Sequence, residues 1–409
     1  MTSRSLTPRH ADLAEASSSS DGIASDGIAS DGIASDGLST AGQSPIGHVV
    51  AVCATAGWLA AGAGDTRVLW DSRVLYQSLL RWGAGSVVPL ARFARWQAPL
   101  VPAARLASHP PGSTSRWRST TLARSIRDLA QVRHVVPPAG TEVLYGHIAF
   151  PACGGLPTIW STQGVLDTYP GVWFPEQSAR THERFAQRAA VVQCWSELGR
   201  RGMLERCEHL EQSRVLVVPP LVYVDLDLAD GTGQPSRNRE PGDVKAIFVG
   251  AEGARKGLRE LVSAVDRTGP GLRLEVVTAD PRPEQLPSSV DWLGPLPRAE
   301  VLRRFTESDI HVLPSLTESF GGVCVEALAA GIPQVLAPGT VPAEIAGDSA
   351  ILADPSDPAA IAGALARLAG DASLRARLGR LARQRFESFY CPEAVGPRMA
   401  ELVEQACAS

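Results

Sequence analysis

Two glutamates eight positions apart, Glu318 and Glu326, bracket a glycine pair in the stretch SLTESFGGVCVEALAAG, residues 315–331. The run before it, DIHVLPS, reads as a buried strand, and a helix is predicted to begin near Gly321–Gly322. Burying a carboxylate is costly unless something pairs with it. Either both glutamates face water, or they face a ligand that uses them. Glycines at a helix start let the backbone approach a phosphate, and the free N–H groups with the helix dipole favour an anion. Glu318 falls in the loop before that helix and Glu326 about one turn inside it, so both reach hydroxyls of a ligand whose phosphates sit on the helix end. Polyhydroxylated rings flanking a diphosphate describe a nucleotide-sugar. A second basic site lies in FVGAEGARKGLRELVSAV, where Arg255 and Lys256 are predicted to open a helix just after a strand. Cations there oppose the helix dipole, which an intervening anion would relieve. Two solvated side chains tolerating a small cost are the alternative.

These groups need a scaffold, and the hydrophobic rhythm supplies one. HVVAVCAT, GAGSVVPLA, TEVLYG, PTIWST, AAVVQCW and SRVLVVP read as strands, with helical periodicity in RVLWDSRVLYQSLLRWG and QSARTHERFAQRA between some of them. After a polar, Pro/Gly-rich stretch the rhythm restarts with VKAIFVG and runs through LRLEVVTA, VDWLG, DIHVLPS, PQVLA and AILAD. Strand–helix alternation of this kind marks parallel sheets covered on both faces. The fold class predicted is α/β: two Rossmann-like parallel-sheet domains in series with a cleft between them. The divisions are a low-complexity tail over 1–45, a first domain over 46–221, a linker over 222–243, a second domain over 244–390, and a last helix over 391–409 that crosses back to the first domain.

The tail repeats S-D-G-I-A from Ser20. A short period rich in Ser, Asp and Gly cannot bury enough apolar surface to offset its ordering entropy, so a disordered tail is expected. A hydrophobic content of 44% and a net charge of −4 suit a soluble globular chain. Seven scattered cysteines without a C-x-x-C pair argue for reduced thiols in the cytoplasm over a disulfide framework or a zinc site. The longest apolar candidate, VVAVCATAGWLAAGAG, is too short to span a bilayer, and no signal-peptide layout opens the chain.

In its second half the chain resembles the retaining GT-B glycosyltransferases of the group-one type. LPSLTESFGGVCVEALAAGIP is similar to their E-x7-E frame, and VGAEGARKG to their basic diphosphate loop. The likeness extends through VDWLGPLPRAEVLRRFTESDIHVLPS and GDSAILADPSDPAAIAGALARLAGD, covering roughly 243–390. It is thinner in the first half, over GAGDTRVLWDSRVLYQSLLRWGAGSVVPLA, AAVVQCWSELGRR and RVLVVPPLVYVDLD. The resemblance implies sugar transfer from a nucleotide-diphosphate sugar to an acceptor hydroxyl, with retention of configuration, no metal and no other cofactor. It implies that Glu326 holds ribose hydroxyls and Glu318 a hydroxyl of the transferred sugar. Gly250 and the backbone amides of Phe320, Gly321 and Gly322 would line the donor, with Arg255 and Lys256 on the departing diphosphate. Gly62, Gly64 and Gln163 fall on the acceptor side. The DLD turn at Asp225–Asp227 is read as structural and not as a metal site.

Two departures keep a different class open. Gln163 stands where many relatives carry a histidine, and Ala251 where many carry an arginine. The alternative is a catalytically degenerate chain of the same fold that binds a nucleotide or a partner enzyme. One further feature belongs to this sequence alone. From Ser72 to Arg127 there are nine arginines and no acidic residue, with Trp82, Trp96 and Trp117 among them. That pattern suits an anionic membrane surface met from the cytoplasmic side, or a phosphate-bearing acceptor. A solvated face balanced by acids elsewhere serves equally. No recognisable nucleic-acid-binding module accompanies it.

Overall fold

The computed structural model describes residues 47–53, 78–83, 86–89, 132–134, 136–147, 150–163, 175–224, 244–269 and 271–409. The expected tail, Gly62, Gly64, Asp225–Asp227 and most of the arginine-rich segment lie outside the described residues.

Among the described residues the first half contributes β1 (Val50–Cys53), β2 (Val87–Pro89), β3 (Val132–His134), β4 (Val143–His147), β5 (Phe150–Ala152) and β6 (Thr158–Thr162). Helix α1 (Pro175–Arg188), β7 (Val191–Cys194), α2 (Glu197–Arg206) and β8 (Val215–Val217) follow. The second half runs β9 (Val244–Val249), α3 (Leu258–Val265), β10 (Leu272–Val277), β11 (Val290–Trp292), α4 (Arg298–Thr306), β12 (Ile310–Leu313), α5 (Gly322–Ala329), β13 (Gln334–Leu336), α6 (Val341–Ala346) and β14 (Ala350–Leu352). Three helices close the chain, α7 (Pro358–Gly370), α8 (Ala372–Phe389) and α9 (Pro392–Cys407).

Two six-stranded parallel sheets result, ordered β2-β1-β4-β6-β7-β8 and β11-β10-β9-β12-β13-β14. The central strands are nearly continuous apolar runs because helices cover both faces of a parallel sheet: all five residues of β4 are buried, as are five of the six in β9. Strand β9 pairs with β10 from Val244↔Leu272 to Val249↔Val277 and with β12 at Ile310↔Ala246. A small parallel pair, β3 with β5, is one the sequence reading did not anticipate. Each strand has three residues, and β5 carries Pro151, so neither shows a usable alternation.

Helix α9 packs on β4, β6 and β7 of the first sheet. Gln405 Nε2 donates to the Ser213 carbonyl at 2.7 Å, and the Arg398 guanidinium donates to the Val217 carbonyl. Trp82, grouped from sequence with a basic aromatic surface, is instead half-buried against Gly396 of α9, where a side chain at 396 would meet its indole nitrogen at 2.7 Å. The neighbouring Arg81 lies over the Tyr223 ring at 4.3 Å.

The two sheets meet at the C-terminal ends of their strands. Trp195, just after β7, sets its ring edge-on to Phe320, from the loop after β12, with centroids 5.4 Å apart. Glu344 of α6 reaches across to the start of α2, accepting from the backbone N–H of Glu197 at 2.7 Å and of Leu198 at 3.0 Å. A carboxylate on a helix N-terminus satisfies otherwise orphaned donors and gains from the dipole. Arg385 of α8 secures the same residue by donating to its carbonyl at 2.7 Å. Glu344→Ala is therefore expected to lower unfolding free energy by about 1–3 kcal/mol, with Glu344→Gln losing less because it keeps an acceptor. Denaturant titration of both variants checks this, and unchanged midpoints would mean that the contact contributes nothing in solution.

Candidate functional site

In a sheet of this order the connections diverge to opposite faces between β9 and β12, which opens a crevice beyond the ends of those two strands. The loops leaving β9 and β12 carry the residues singled out from the sequence. They are locked together: Lys256 Nζ lies 2.8 Å from Glu318 Oε2, and Arg255 Nη1 lies 3.6 Å from the same oxygen. Arg255 also donates to the Thr317 carbonyl at 2.7 Å, while its own carbonyl accepts from Leu316 N–H at 3.1 Å. Gly257 makes this approach possible. Its φ is +69°, and a Cβ there would stand 2.2 Å from the Pro314 carbonyl oxygen. Gly250 lies beneath the Lys256 side chain, which crosses the space a side chain at 250 would need.

Arg255 and Lys256 do not open α3, as the sequence reading had them. They sit in the turn before it, and the helix begins at Leu258 behind the left-handed Gly257. Glu252, in the same turn, holds a φ of +59° that is uncommon for a residue with a side chain. Its carboxylate accepts from Arg255 Nε at 2.8 Å, and Asp280 accepts from Gly253 N–H at 2.6 Å, so the turn is braced from two sides. Ala251 is exposed.

Helix α5 begins at Gly322 after Gly321, whose φ is +81° and which provides no side-chain cap. Phe320 is buried at the threshold of this helix beside Trp195. Glu326 is buried, with 2% of its side chain exposed, and the Arg298 guanidinium from the first turn of α4 donates to its Oε1. Each predicted glutamate therefore has a basic partner: Glu318 has Lys256 with Arg255, and Glu326 has Arg298. Arg298 was missed from sequence, because an arginine at a helix start is an ordinary solvated residue until packing gives it a partner.

From the first sheet, Gln163 lies half-buried just after β6, and Trp195 stacks on His147 at 4.4 Å with an 11° interplanar angle. Trp195 Nε1 donates to Ser161 Oγ at 2.9 Å, and His147 Nδ1 lies 3.1 Å from the Ser161 carbonyl, which makes that nitrogen the protonated one. His147 carries no signal in the sequence, because it ends a strand of buried residues. Among the described residues no cluster of three His, Cys, Asp or Glu side chains gathers as a metal site. A separate open cleft of about 700 Å³, lined in part by Thr158, Arg188, Ala190 and Arg214, lies at the N-terminal ends of β6 to β8, the wrong end of the sheet for this chemistry.

Residues 234–385 match the family model of the glycosyl transferases group 1. A stretch of 105 residues is 31% identical to the sulfoquinovosyl transferase SQD2 of Arabidopsis thaliana; it covers 24% of this chain and 20% of the plant protein. Sucrose-phosphate synthase from Thermosynechococcus elongatus superposes with a TM-score of 0.59 at 16% identity, over 88% of this chain and 99% of that one. Anabaena HepE, solved in complex with UDP and glucose, gives 0.59 at 14% identity over 87% and 99%. At these identities the structures establish the fold, and it is GT-B.

Two buried imidazoles near the site set a pH dependence. Burial pushes His147 down to about 3, against the help of its bond to Ser161. Burial pushes His311 of β12 down to about 4, opposed by its bond to Gln334 and reinforced by Lys256. An unfolded histidine titrates near 6.5, so below that pH the unfolded chain binds protons that the folded chain refuses. Stability from these groups is complete above about pH 6.5 and declines as the pH falls toward 4. Urea unfolding between about pH 7 and pH 5, above most carboxylate titration, is expected to show that decline. A flat profile would show that the rings are reached by solvent protons in the folded state.

Proposed function

We propose that this chain, whose residues 234–385 form a group 1 glycosyl transferase domain, transfers a sugar from a nucleoside-diphosphate sugar to an acceptor hydroxyl with retention of configuration. The observation that carries the reading is the convergence of Arg255, Lys256 and Glu318 beside the start of α5. The diphosphate would lie on the first turn of α5 near Phe320, Gly321 and Gly322, where helix N–H groups and two cations meet negative charge. As the glycosidic bond breaks, charge grows on the leaving diphosphate, and Arg255 and Lys256 stabilise it where it develops. They supply the positive charge that a metal would otherwise bring, so the reading requires none. Phosphate competes with Glu318 for Lys256, which frees the carboxylate for a hydroxyl of the transferred sugar. Glu326 takes the ribose hydroxyls. HepE binds UDP and glucose on the same fold, which supports a donor of this class.

The acceptor enters from the first sheet, past Gln163. The acid-free, arginine-rich run over 72–127 suits an acceptor held at an anionic surface, and such binding would weaken with salt because screening acts over about 8–10 Å at physiological ionic strength. Cosedimentation with acidic vesicles, lost as salt rises, is the expected result. No sedimentation at low salt would leave a soluble acceptor.

Thermal-shift titration with UDP, GDP and ADP, followed by slow hydrolysis of the matching sugar nucleotide, tests the reading. Lys256→Ala is expected to lower turnover by about 10²–10³ with a smaller change in donor affinity, since the charge it meets is greatest in the transition state. Turnover within a factor of about two of wild type would make Lys256 a spectator. Nucleotide binding without hydrolysis or transfer would favour the inactive binder that Gln163 and Ala251 leave open.

A further inference from the structure

Glu326 and Arg298 form a pair with unequal exposure and unused capacity. The Glu326 side chain is 2% exposed, that of Arg298 26%, and one guanidinium nitrogen, Nη1, donates to Glu326 Oε1. The other, Nη2, is buried and has no hydrogen-bond partner among the described residues. A buried, unpaired charged donor is costly, and here it lies on the same planar group that grips a carboxylate beside the predicted phosphate end of α5. A vicinal diol has the matching chemistry. Each hydroxyl is at once a donor and an acceptor, whereas a carboxylate only accepts and a guanidinium only donates.

We infer that Arg298 and Glu326 together form a ribose-diol site, with Arg298 both fixing the Glu326 carboxylate and donating through Nη2 to a ribose hydroxyl oxygen. The inference rests on the donor-site reading above and adds to it a residue that selects ribonucleotides over deoxyribonucleotides. The rigid guanidinium suits this role because it keeps its two donor nitrogens in one plane at a fixed separation. A lysine offers a single rotating centre. The pair also explains how Glu326 tolerates burial: its counter-charge is built in, and the ligand adds hydrogen bonds without having to supply that charge.

Calorimetry with UDP, GDP and ADP and with their 2′-deoxy counterparts tests the inference on the intact chain. Wild type is expected to prefer the best ribonucleotide over its 2′-deoxy form by about tenfold or more, the scale of a lost hydrogen bond to a charged partner. Arg298→Ala should weaken the ribonucleotide more than the 2′-deoxy form, which loses only the fixing of Glu326, so that the preference collapses to within about twofold. Arg298→Lys keeps a cation beside the buried carboxylate, which preserves the fold should the alanine variant fail to form, and is expected to show a reduced preference. Equal weakening of both nucleotides in the alanine variant, or a full wild-type preference in the lysine variant, would overturn the ribose role. Wild type that binds these nucleotides without any ribose preference would overturn it too and leave the donor site standing. Wild type that binds none of the six would overturn the donor site itself.

Discussion

Parallel strand pairing is the constraint on which the rest of this structure depends. When every strand points the same way, each connection must cross back along a face, and all strand ends collect on one edge. In both sheets that edge is turned toward the other sheet, as the Trp195–Phe320 contact and the Glu344 bonds to the start of α2 record. The loops that face each other are therefore the ones free to carry chemistry, while the strands beneath them carry only packing. The loops after β9 and β12 lie side by side because the strand order reverses between them. Residues 62 positions apart, Lys256 and Glu318, come within 2.8 Å for that reason.

Charge in this edge is arranged in pairs. Lys256, largely buried, would be costly to hold as a bare cation, and Glu326 more so as a bare anion. Each is balanced by a partner from a different loop or helix, so the crevice is electrically prepared before any ligand arrives. Pairing of this kind favours exchange: a phosphate can take one partner and a sugar hydroxyl the other, with little net charge moved. It also keeps the backbone fixed, since Arg255 bonds the Thr317 carbonyl while Gly257 presses on that of Pro314. A site held at several points reorganises little when charge develops in it, which is the condition for electrostatic stabilisation of a transition state.

The contribution of the first sheet is aromatic where the second is ionic. His147 stacks on Trp195, and Trp195 meets Phe320 edge-on, so the aromatic contact runs to the threshold of α5. Two hydrogen bonds to Ser161 fix it from below. The contact joins the halves through apolar area, and Glu344 adds direction. The C-terminal helix α9 completes the join by leaving the second half and packing on the first sheet.

The strands of both sheets were legible in the sequence because a strand buried on both faces is a nearly continuous apolar run, as in VKAIFV, broken by Lys245, and VLYGH, which ends in His147. The start of α5 was legible too, since Gly321–Gly322 after an apolar strand is a local signal. Strands β3 and β5 were not, being three residues each with Pro151 in one of them. Local chemistry told where cations and carboxylates stood along the chain, and with it the class of ligand they suit. It could not tell which of them would touch. Arg298 meets Glu326 across 28 positions and Glu344 meets α2 across 146 or 147, through the packing of α4 on α5 and of one sheet edge on the other. The sequence alone determined the strands of the two large sheets, the start of α5 and the kinds of charge near their ends, because those follow from burial and backbone geometry within a few residues. Only the tertiary structure decided the partners, because partnership depends on the distance between elements that the chain leaves far apart.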